Sequence, residues 1–541
     1  MKRNPEGDGA GTNRRRFLKG LGVLGVAGLA GCGGDGSTET PPESATATAT
    51  ATPGVTTAET ATATDTATPA DDTTRSPTDT ATGTLPGTPI PPGDVTPAWT
   101  AGEPPADATV LFGEGVEGLS KWQREGGGDP PWTVGDGYFE VVPGSAWIET
   151  REPIGDCHVH VEFKPPEEPN EDGERVGNSG VFMMGQYEFQ VLNNRIVDGT
   201  SNGMAGAYYA QAPPLVDSSR SPDEWQAYDI IWRGPNFEDG EVVDPARTTV
   251  FFNGVVTAAH LNVVGTTSGA TPGPYAPHPE ALPLQLQDHD QVVRFRNIWY
   301  RSLGPERDLS TASPTYGSDY QQEAYAPNDG EAEDVGPGET MAHHPSDATL
   351  LLGGGDLRGW TGPDGGSPGW TEADGYVVAE PGAGTITSEE TVGDCQLHAE
   401  FRIPEGDSGE NPGESAVLLA NRYGFAIRAP GDDVEPTQQA GGYPGQSPPL
   451  SDAVRPRGEW QSFDIVWEGP RFGSQNTILS RYARATVLLN GMVVQHRLHP
   501  NGMNADGAIS PYGPHSTEQP IGLAENGDPV HFRNVWFRPL D

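Results

Sequence analysis

Lysine is nearly missing from this 541-residue chain. Lys2, Lys19, Lys121 and Lys164 are the only four among 32 basic residues, and 76 acidic residues outweigh them to a formal net charge of −44. Phosphate backbones are bound by clustered Lys and Arg, so this balance excludes a nucleic-acid partner. Cysteine is as scarce, with three residues and no CxxC or Cys/His spacing, which excludes a zinc ribbon or a disulfide framework. Cys157 and Cys395 stand in matching contexts, "GDCHVHVEF" and "GDCQLHAEF", and read as two buried thiols rather than one bridge. A long hydrophobic run is also lacking: the stretch from Leu18 to Ala30 is too short to span a bilayer comfortably. Finally, no run of a dozen residues carries a clean 3.6-residue period, which leaves strands as the building material.

The acidic residues are spread over segments that also carry hydrophobic strand patterns, so they do not form a tail. At about 1 M salt the Debye length shrinks to about 3 Å and repulsion among such charges is screened. An acid-coated surface that prefers Arg to Lys is therefore expected of a protein adapted to molar salt.

The first 32 residues read as an address. "NRRRFLKGLGVLGVAGLAGC" resembles a twin-arginine signal, with Arg14 and Arg15 as the pair, ending in a lipobox-like "LAGC". Cys32 would then be the lipidated first residue, and the protein would be exported and anchored at the outer face of the cytoplasmic membrane. An uncleaved membrane anchor is the alternative. Residues 33–100, nearly all Thr, Ala, Pro, Ser, Gly and Asp, cannot bury a core and are expected to form a disordered stalk.

After the stalk the chain says everything twice. "DATVLFG" returns as "DATLLLG", "DEWQAYDIIWRGPNF" as "GEWQSFDIVWEGPRF", "TTVFFNGVV" as "ATVLLNGMV" and "VVRFRNIWYRSL" as "PVHFRNVWFRPL", with matching residues 235 to 240 positions apart. Two tandem domains follow, 101–305 and 344–541, joined by an acidic linker over 306–343. Short alternating strands, an Asn253-Gly254 hairpin turn and abundant Gly and Pro predict an all-β fold of two sandwiches or jelly rolls.

One strand differs informatively between the copies. "NSGVFMMGQYEFQVLN" (178–193) places Val181, Met183, Tyr187, Phe189 and Val191 on one face and Asn178, Glu188 and Gln190 on the other. Its copy keeps the apolar face but replaces Glu188 by Gly424 and Gln190 by Ala426. "LQLQDHD" changes likewise: Gln287 becomes Ala524 and His289 becomes Asn526. A face exposed only to water has no reason to lose polar groups on two strands together. The pattern points to one site, present in the first domain and erased in the second. Glu162, His160, Asp229 and Arg296 occur in both copies and read as structural.

The order "LFGEGVEGLSKW … NSGVFM … YEFQVL … GAYYAQAPP … DEWQAYDIIWRG … FFNGVV … LQLQDH … VRFRNIW" resembles the 3-keto-disaccharide hydrolase domain family over about 107–303, and more weakly over 347–540. The resemblance implies concanavalin A-like, laminarinase-like sandwiches and an extracellular enzyme acting on glycosides whose sugar carries a ketone at C3, sometimes with a divalent metal. Within it, Glu188 is the expected base and His289 its catalytic partner, with Asp288 as a metal ligand. Asn178, Gln190 and Gln287 are expected to bind hydroxyls, and Tyr208 and Tyr209 to wall the sugar, whereas Trp225, kept as Trp460, suits core packing better. Two other readings stay open: a conventional retaining glycosidase, which needs two carboxylates about 5 Å apart, and a surface carbohydrate-binding protein without catalysis. No residue pattern bears on the oligomeric state.

Overall fold

A computed structural model describes residues 102–540, apart from 168–176, 197–200, 223, 270, 305–343, 407–412, 432–433, 474–478 and 506–507. The signal with Cys32, the stalk and the linker lie outside the described residues. Among the described residues every regular element is a strand except two single turns of 3₁₀ helix.

The first sandwich is built from seventeen strands. They are β1 (Thr109–Phe112), β2 (Trp122–Arg124), β3 (Thr133–Val134), β4 (Phe139–Glu140), β5 (Ile148–Thr150), β6 (Cys157–Lys164), β7 (Ser179–Met183), β8 (Tyr187–Val191) and β9 (Gln226–Arg233). After them come β10 (Asn236–Glu238), β11 (Glu241–Asp244), β12 (Arg247–Phe252), β13 (Val255–Asn262), β14 (Thr267–Ser268), β15 (Thr271–Pro272), β16 (Gln285–Leu286) and β17 (Arg294–Ser302). The large sheet runs β13-β12-β9-β6-β17-β4-β3, with β1 also on β17, and the small sheet runs β2-β5-β16-β7-β8. The short pairs β10-β11 and β14-β15 are side ribbons.

The predicted alternation decides which face each strand buries. Val159, Val161 and Phe163 of β6 meet Val181, Tyr187, Phe189 and Val191 of the small sheet in one apolar cluster. The β12–β13 turn carries Asn253 and Gly254 at φ 52° and 81°, the mirror-image turn whose twist suits a hairpin. Asn253 also holds the turn down, its Nδ2 donating to the Ser218 carbonyl and to Gln226 Oε1.

The second copy repeats this plan. Its eight-stranded and five-stranded sheets follow the same strand order, and Asn490-Gly491 makes the same turn at φ 52° and 78°. The residues shared by the copies prove structural. His160 Nδ1 lies 2.8 Å from Asp229 Oδ1, and His398 Nδ1 lies 2.8 Å from Asp464 Oδ1. Arg296 and Arg533 each donate from Nε to the glutamate across the strand, Glu162 and Glu400, at 2.6 Å. Trp225 lies under the Arg296 guanidinium at 4.1 Å, as Trp460 lies under Arg533 at 3.9 Å. Cys157 and Cys395 are both buried, and neither is in a disulfide.

The two sandwiches share an apolar seam. Ile231, Phe251 and Val256 of the first pack with their own counterparts Val466, Leu488 and Val493 in the second. Gln396 seals one end, donating to the Gly254 carbonyl at 2.8 Å and accepting from Val256 N at 2.9 Å. The contact joins equivalent positions, as an isologous interface does.

Candidate functional site

The face of the small sheet turned away from the core carries the polar residues. Register places them in rows. Gln123, Glu149, Gln285, Phe182 and Glu188 follow one another across β2, β5, β16, β7 and β8. One step along the strands, Trp147, Gln287, Gly180 and Gln190 form the next row, in which Gly180 pairs Gln190 and its carbonyl accepts from Gln287 N. A cleft of about 260 Å³ opens over these rows, lined by Trp147, Asn178, Phe182, Glu188, Gln190, Tyr209, Thr267, Gly269, Gln287 and His289.

Among the described residues Glu188 is the cleft's one carboxylate, and its environment is unusual. It is 4 % exposed, and its carboxyl finds no hydrogen bond among the described residues. Burial alone pushes its pKa up to about 8, because the low-dielectric surroundings penalise the charged form. Its backbone is pinned on both sides: Glu188 N donates to Thr267 Oγ1 at 3.1 Å, and the Glu188 carbonyl accepts from Tyr209 N at 3.0 Å. Space for the carboxyl comes from Gly180, where a β-carbon would stand 2.7 Å from Glu188 Oε1.

The amides beside it are also underused. Gln190 donates to the Gly203 carbonyl at 3.1 Å, but among the described residues its Oε1 is buried without a partner, and so is Gln287 Oε1. An unpaired buried acceptor is costly by roughly 1–3 kcal/mol. His289 is exposed at the mouth, and Asn178 is buried on the neighbouring strand entry. Trp147 lies against Phe182 with ring centroids 4.7 Å apart.

Six of the expected residues therefore gather in one cleft: Glu188, His289, Asn178, Gln190, Gln287 and Tyr209. Two do not. Tyr208 faces the core, 1 % exposed, with its hydroxyl donating to the Gly265 carbonyl and its ring edge-on to Phe189. Tyr443 does the same with Gly502, so this tyrosine packs both sandwiches. Alternation explains the error: of two adjacent tyrosines only Tyr209 can face the cleft. Asp288 does not line the cleft; its two carboxylate oxygens accept from the backbone N–H groups of Ser145 and Asp290. Its counterpart Glu525 caps Gly384 and Gly527 in the same way. Among the described residues no group of three His, Cys, Asp or Glu is placed to hold a metal ion.

Trp147, Phe182, Thr267 and Gly180 escaped the sequence reading. Comparison of the copies carried the signal for them as well, since they align with Thr385, Leu418, Asn504 and Ala416.

The comparisons with known proteins agree with this duplication. The profile of the 3-keto-alpha-glucoside-1,2-lyase-like domain matches twice, over residues 107–301 and 347–538. A presumed glycosyl hydrolase from Parabacteroides distasonis ATCC 8503 is 37% identical, with a TM-score of 0.37, over 40% of this chain and 93% of its own. A second presumed glycosyl hydrolase from that organism is 21% identical, with a TM-score of 0.28, over 36% and 94%. The carbohydrate binding module CBM66 from Bacillus subtilis is 12% identical, with a TM-score of 0.17, over 35% and 93%. None of the curated proteins compared with the chain matches it.

Proposed function

The chain belongs to the 3-keto-alpha-glucoside-1,2-lyase-like family, and from that premise we propose that its first sandwich cleaves glycosides whose sugar carries a ketone at C3. The ketone acidifies the C2 proton. Glu188 as carboxylate removes it, the electron pair passes into the C2–C3 enolate, and collapse of that enolate expels the oxygen at C1. His289 at the mouth delivers a proton to the departing oxygen. Water then adds across the C1–C2 double bond, its hydroxyl to C1 and a proton to C2, so that the net change is hydrolysis.

The observation that carries this reading is a solitary carboxylate held near neutrality. A base works best when its pKa lies close to the working pH, and Glu188 at about 8 meets that condition. Gln190 and Gln287 supply the acceptors for sugar hydroxyls, and Trp147 and Tyr209 supply apolar surface for the ring.

A two-carboxylate mechanism fits poorly. The next acid on this face, Glu149, stands three strands from Glu188, which is roughly 14 Å between backbones at about 4.8 Å per strand. Its oxygens are also engaged by Gln123 at 2.9 Å and Gln285 at 3.0 Å. The carboxyls of retaining enzymes stand about 5 Å apart.

The test is product analysis with a 3-keto-glucoside beside the unmodified glucoside. Release of 3-keto-glucose from the first alone, with exchange of the C2 hydrogen in deuterated water, supports the proposal. Equal cleavage of both glucosides, or none of either, removes it.

A further inference from the structure

The second sandwich has lost the residues that this chemistry needs, yet its cleft has not closed. A cavity of about 110 Å³ remains at the equivalent place, less than half the volume of the first. Its floor is now alkyl: Ala416, Leu418, Gly424, Ala426 and Ala524. Leu418 leans into the space that the glutamate occupies in the first copy, with Cδ2 2.8 Å from where a β-carbon on Gly424 would stand.

Decay of a disused site does not account for the rim. Arg428 stands where the first copy has Leu192, and Glu414 where it has Asn178. The two form an ion pair at 2.6 Å at the edge of the cavity. Arg428 also donates to Gln438 Oε1 at 3.1 Å, while its Nε is buried without a partner among the described residues. A guanidinium at a leucine position is expensive unless it is used, since each unmet buried N–H costs roughly 1–3 kcal/mol. Asn526 borders the same cavity.

We propose that this cleft is a second, non-catalytic binding site for a single sugar unit. An apolar floor beside a few convergent polar groups is the general form of a small-molecule site. A pyranose matches both parts: its C–H face covers the floor, and vicinal hydroxyls meet a donor and an acceptor side by side on Arg428 and Glu414. One of those hydroxyl oxygens accepts from the Arg428 guanidinium. A purely apolar ligand makes no use of that donor, and a bare anion is repelled by Glu414. No base reaches the ring, because Gly424 stands in place of the glutamate. The first sandwich would then cut while the second holds the same class of glycan.

This inference rests on the carbohydrate reading of the first cleft, so the test must separate the two. The full chain carrying Glu188→Gln is dialysed to equilibrium against radiolabelled methyl α-glucoside and methyl 3-keto-α-glucoside. Two sugars per chain are expected. Ala426→Trp, which fills the second cavity, should lower this to one, and Arg428→Leu, which restores the first-copy residue, should weaken one of the two sites at least tenfold. Gln190→Trp should remove the other. Melting curves report whether Ala426→Trp folds, and Arg428→Leu decides the matter if it does not. One sugar per chain that Gln190→Trp removes, or a stoichiometry and affinity that neither second-cleft variant changes, overturns this site and leaves the first untouched. No sugar at either cleft overturns both.

Discussion

Gly180 and Glu188 share one pocket of space: a β-carbon on the glycine would stand 2.7 Å from the carboxylate oxygen and 3.1 Å from its Cγ. The second copy reverses the pair, with Ala416 diagonal to Gly424 and its Cβ 3.7 Å from where a β-carbon on Gly424 would stand. Bulk is thus tolerated on β7 only where the acid on β8 is gone. Gly180→Ala should push the carboxyl out of line without removing it. Displacement of a reacting group by about 1 Å can lower rate about 10²-fold, so kcat should drop by about that factor. The melting temperature should fall as well, because the new methyl would stand 2.6 Å from Cε2 of the buried Phe182 ring. Unchanged kcat in this variant would mean that the carboxyl position does not matter.

Tyr208 and Tyr209 are adjacent and should answer differently to truncation. Tyr208→Phe removes a buried hydrogen bond to the Gly265 carbonyl, which is worth about 1 kcal/mol of stability, and should leave KM alone. Tyr209→Ala should raise KM several-fold and leave stability nearly unchanged. Thermal melts and initial rates on both variants decide this, and the same pattern in both would show that the two residues have not been told apart.

How far this arrangement could be read in advance depended on periodicity. Strand alternation marks a face for every residue, so Glu188, Gln190 and the core set separated correctly on sequence alone. The duplication then served as an internal control, distinguishing Glu162 and Arg296, kept for an ion pair, from Glu188, kept for the cleft. Residues outside strands carried no such marker. Trp147 and Thr267 arrive from a strand edge and a side ribbon, and their place depends on pairing across 136 residues for the strand beside Trp147 and 79 for Thr267. Tyr208 and Asp288 failed for a related reason: neighbours in sequence point to opposite faces, and a motif names both. The apolar seam between the sandwiches had no sequence signature either, because its residues, such as Ile231 and Phe251, alternate with core residues on strands buried on both faces.

The twin His–Asp pairs make a pH prediction about stability. Burial alone would lower the pKa of His160, but the Asp229 carboxylate and Glu162 raise it to about 9, and His398 is raised to about 9 beside Asp464 and Glu400. A histidine raised in the folded state stabilises fully below its unfolded value near 6.5 and loses that contribution as pH climbs through the folded value. Melting temperature should therefore fall between about pH 6.5 and 9. Asp229→Asn should destabilise the chain by about 3 kcal/mol near neutrality, since it strands a buried charge, and should flatten that decline. A decline just as steep in Asp229→Asn would assign it to other groups.

Anchoring can be tested through Cys32, which lies before the stalk. The proposed lipid on this cysteine predicts that Cys32→Ala appears in the soluble fraction after export, while the parent sediments with membranes. Equal retention of both would leave the lipid without a role and favour an uncleaved apolar segment.

The Glu188 carboxyl links catalysis and stability through one protonation. Rate should rise with pH as the acid ionises, so kcat/KM is expected to climb through an apparent pKa of about 8, and Glu188→Gln should lower it by about 10²–10⁴-fold above that pKa, with the gap closing as pH falls below it. Stability should move the other way. The folded-state pKa of this acid is raised above its ordinary value of 4.5, so between 4.5 and about 8 the native protein holds a proton that the unfolded chain releases. Folding is thus progressively destabilised as pH rises through that window, and the penalty is complete above it. A tenfold change in proton affinity is worth about 1.4 kcal/mol, so a few kcal/mol are at stake. Glu188→Gln, which cannot ionise, should melt at nearly the parent's temperature near pH 4.5 and several degrees higher by pH 8.5. A gain in melting temperature that does not grow with pH would show that Glu188 is solvated in the folded protein, and the proposed base would lose its physical basis.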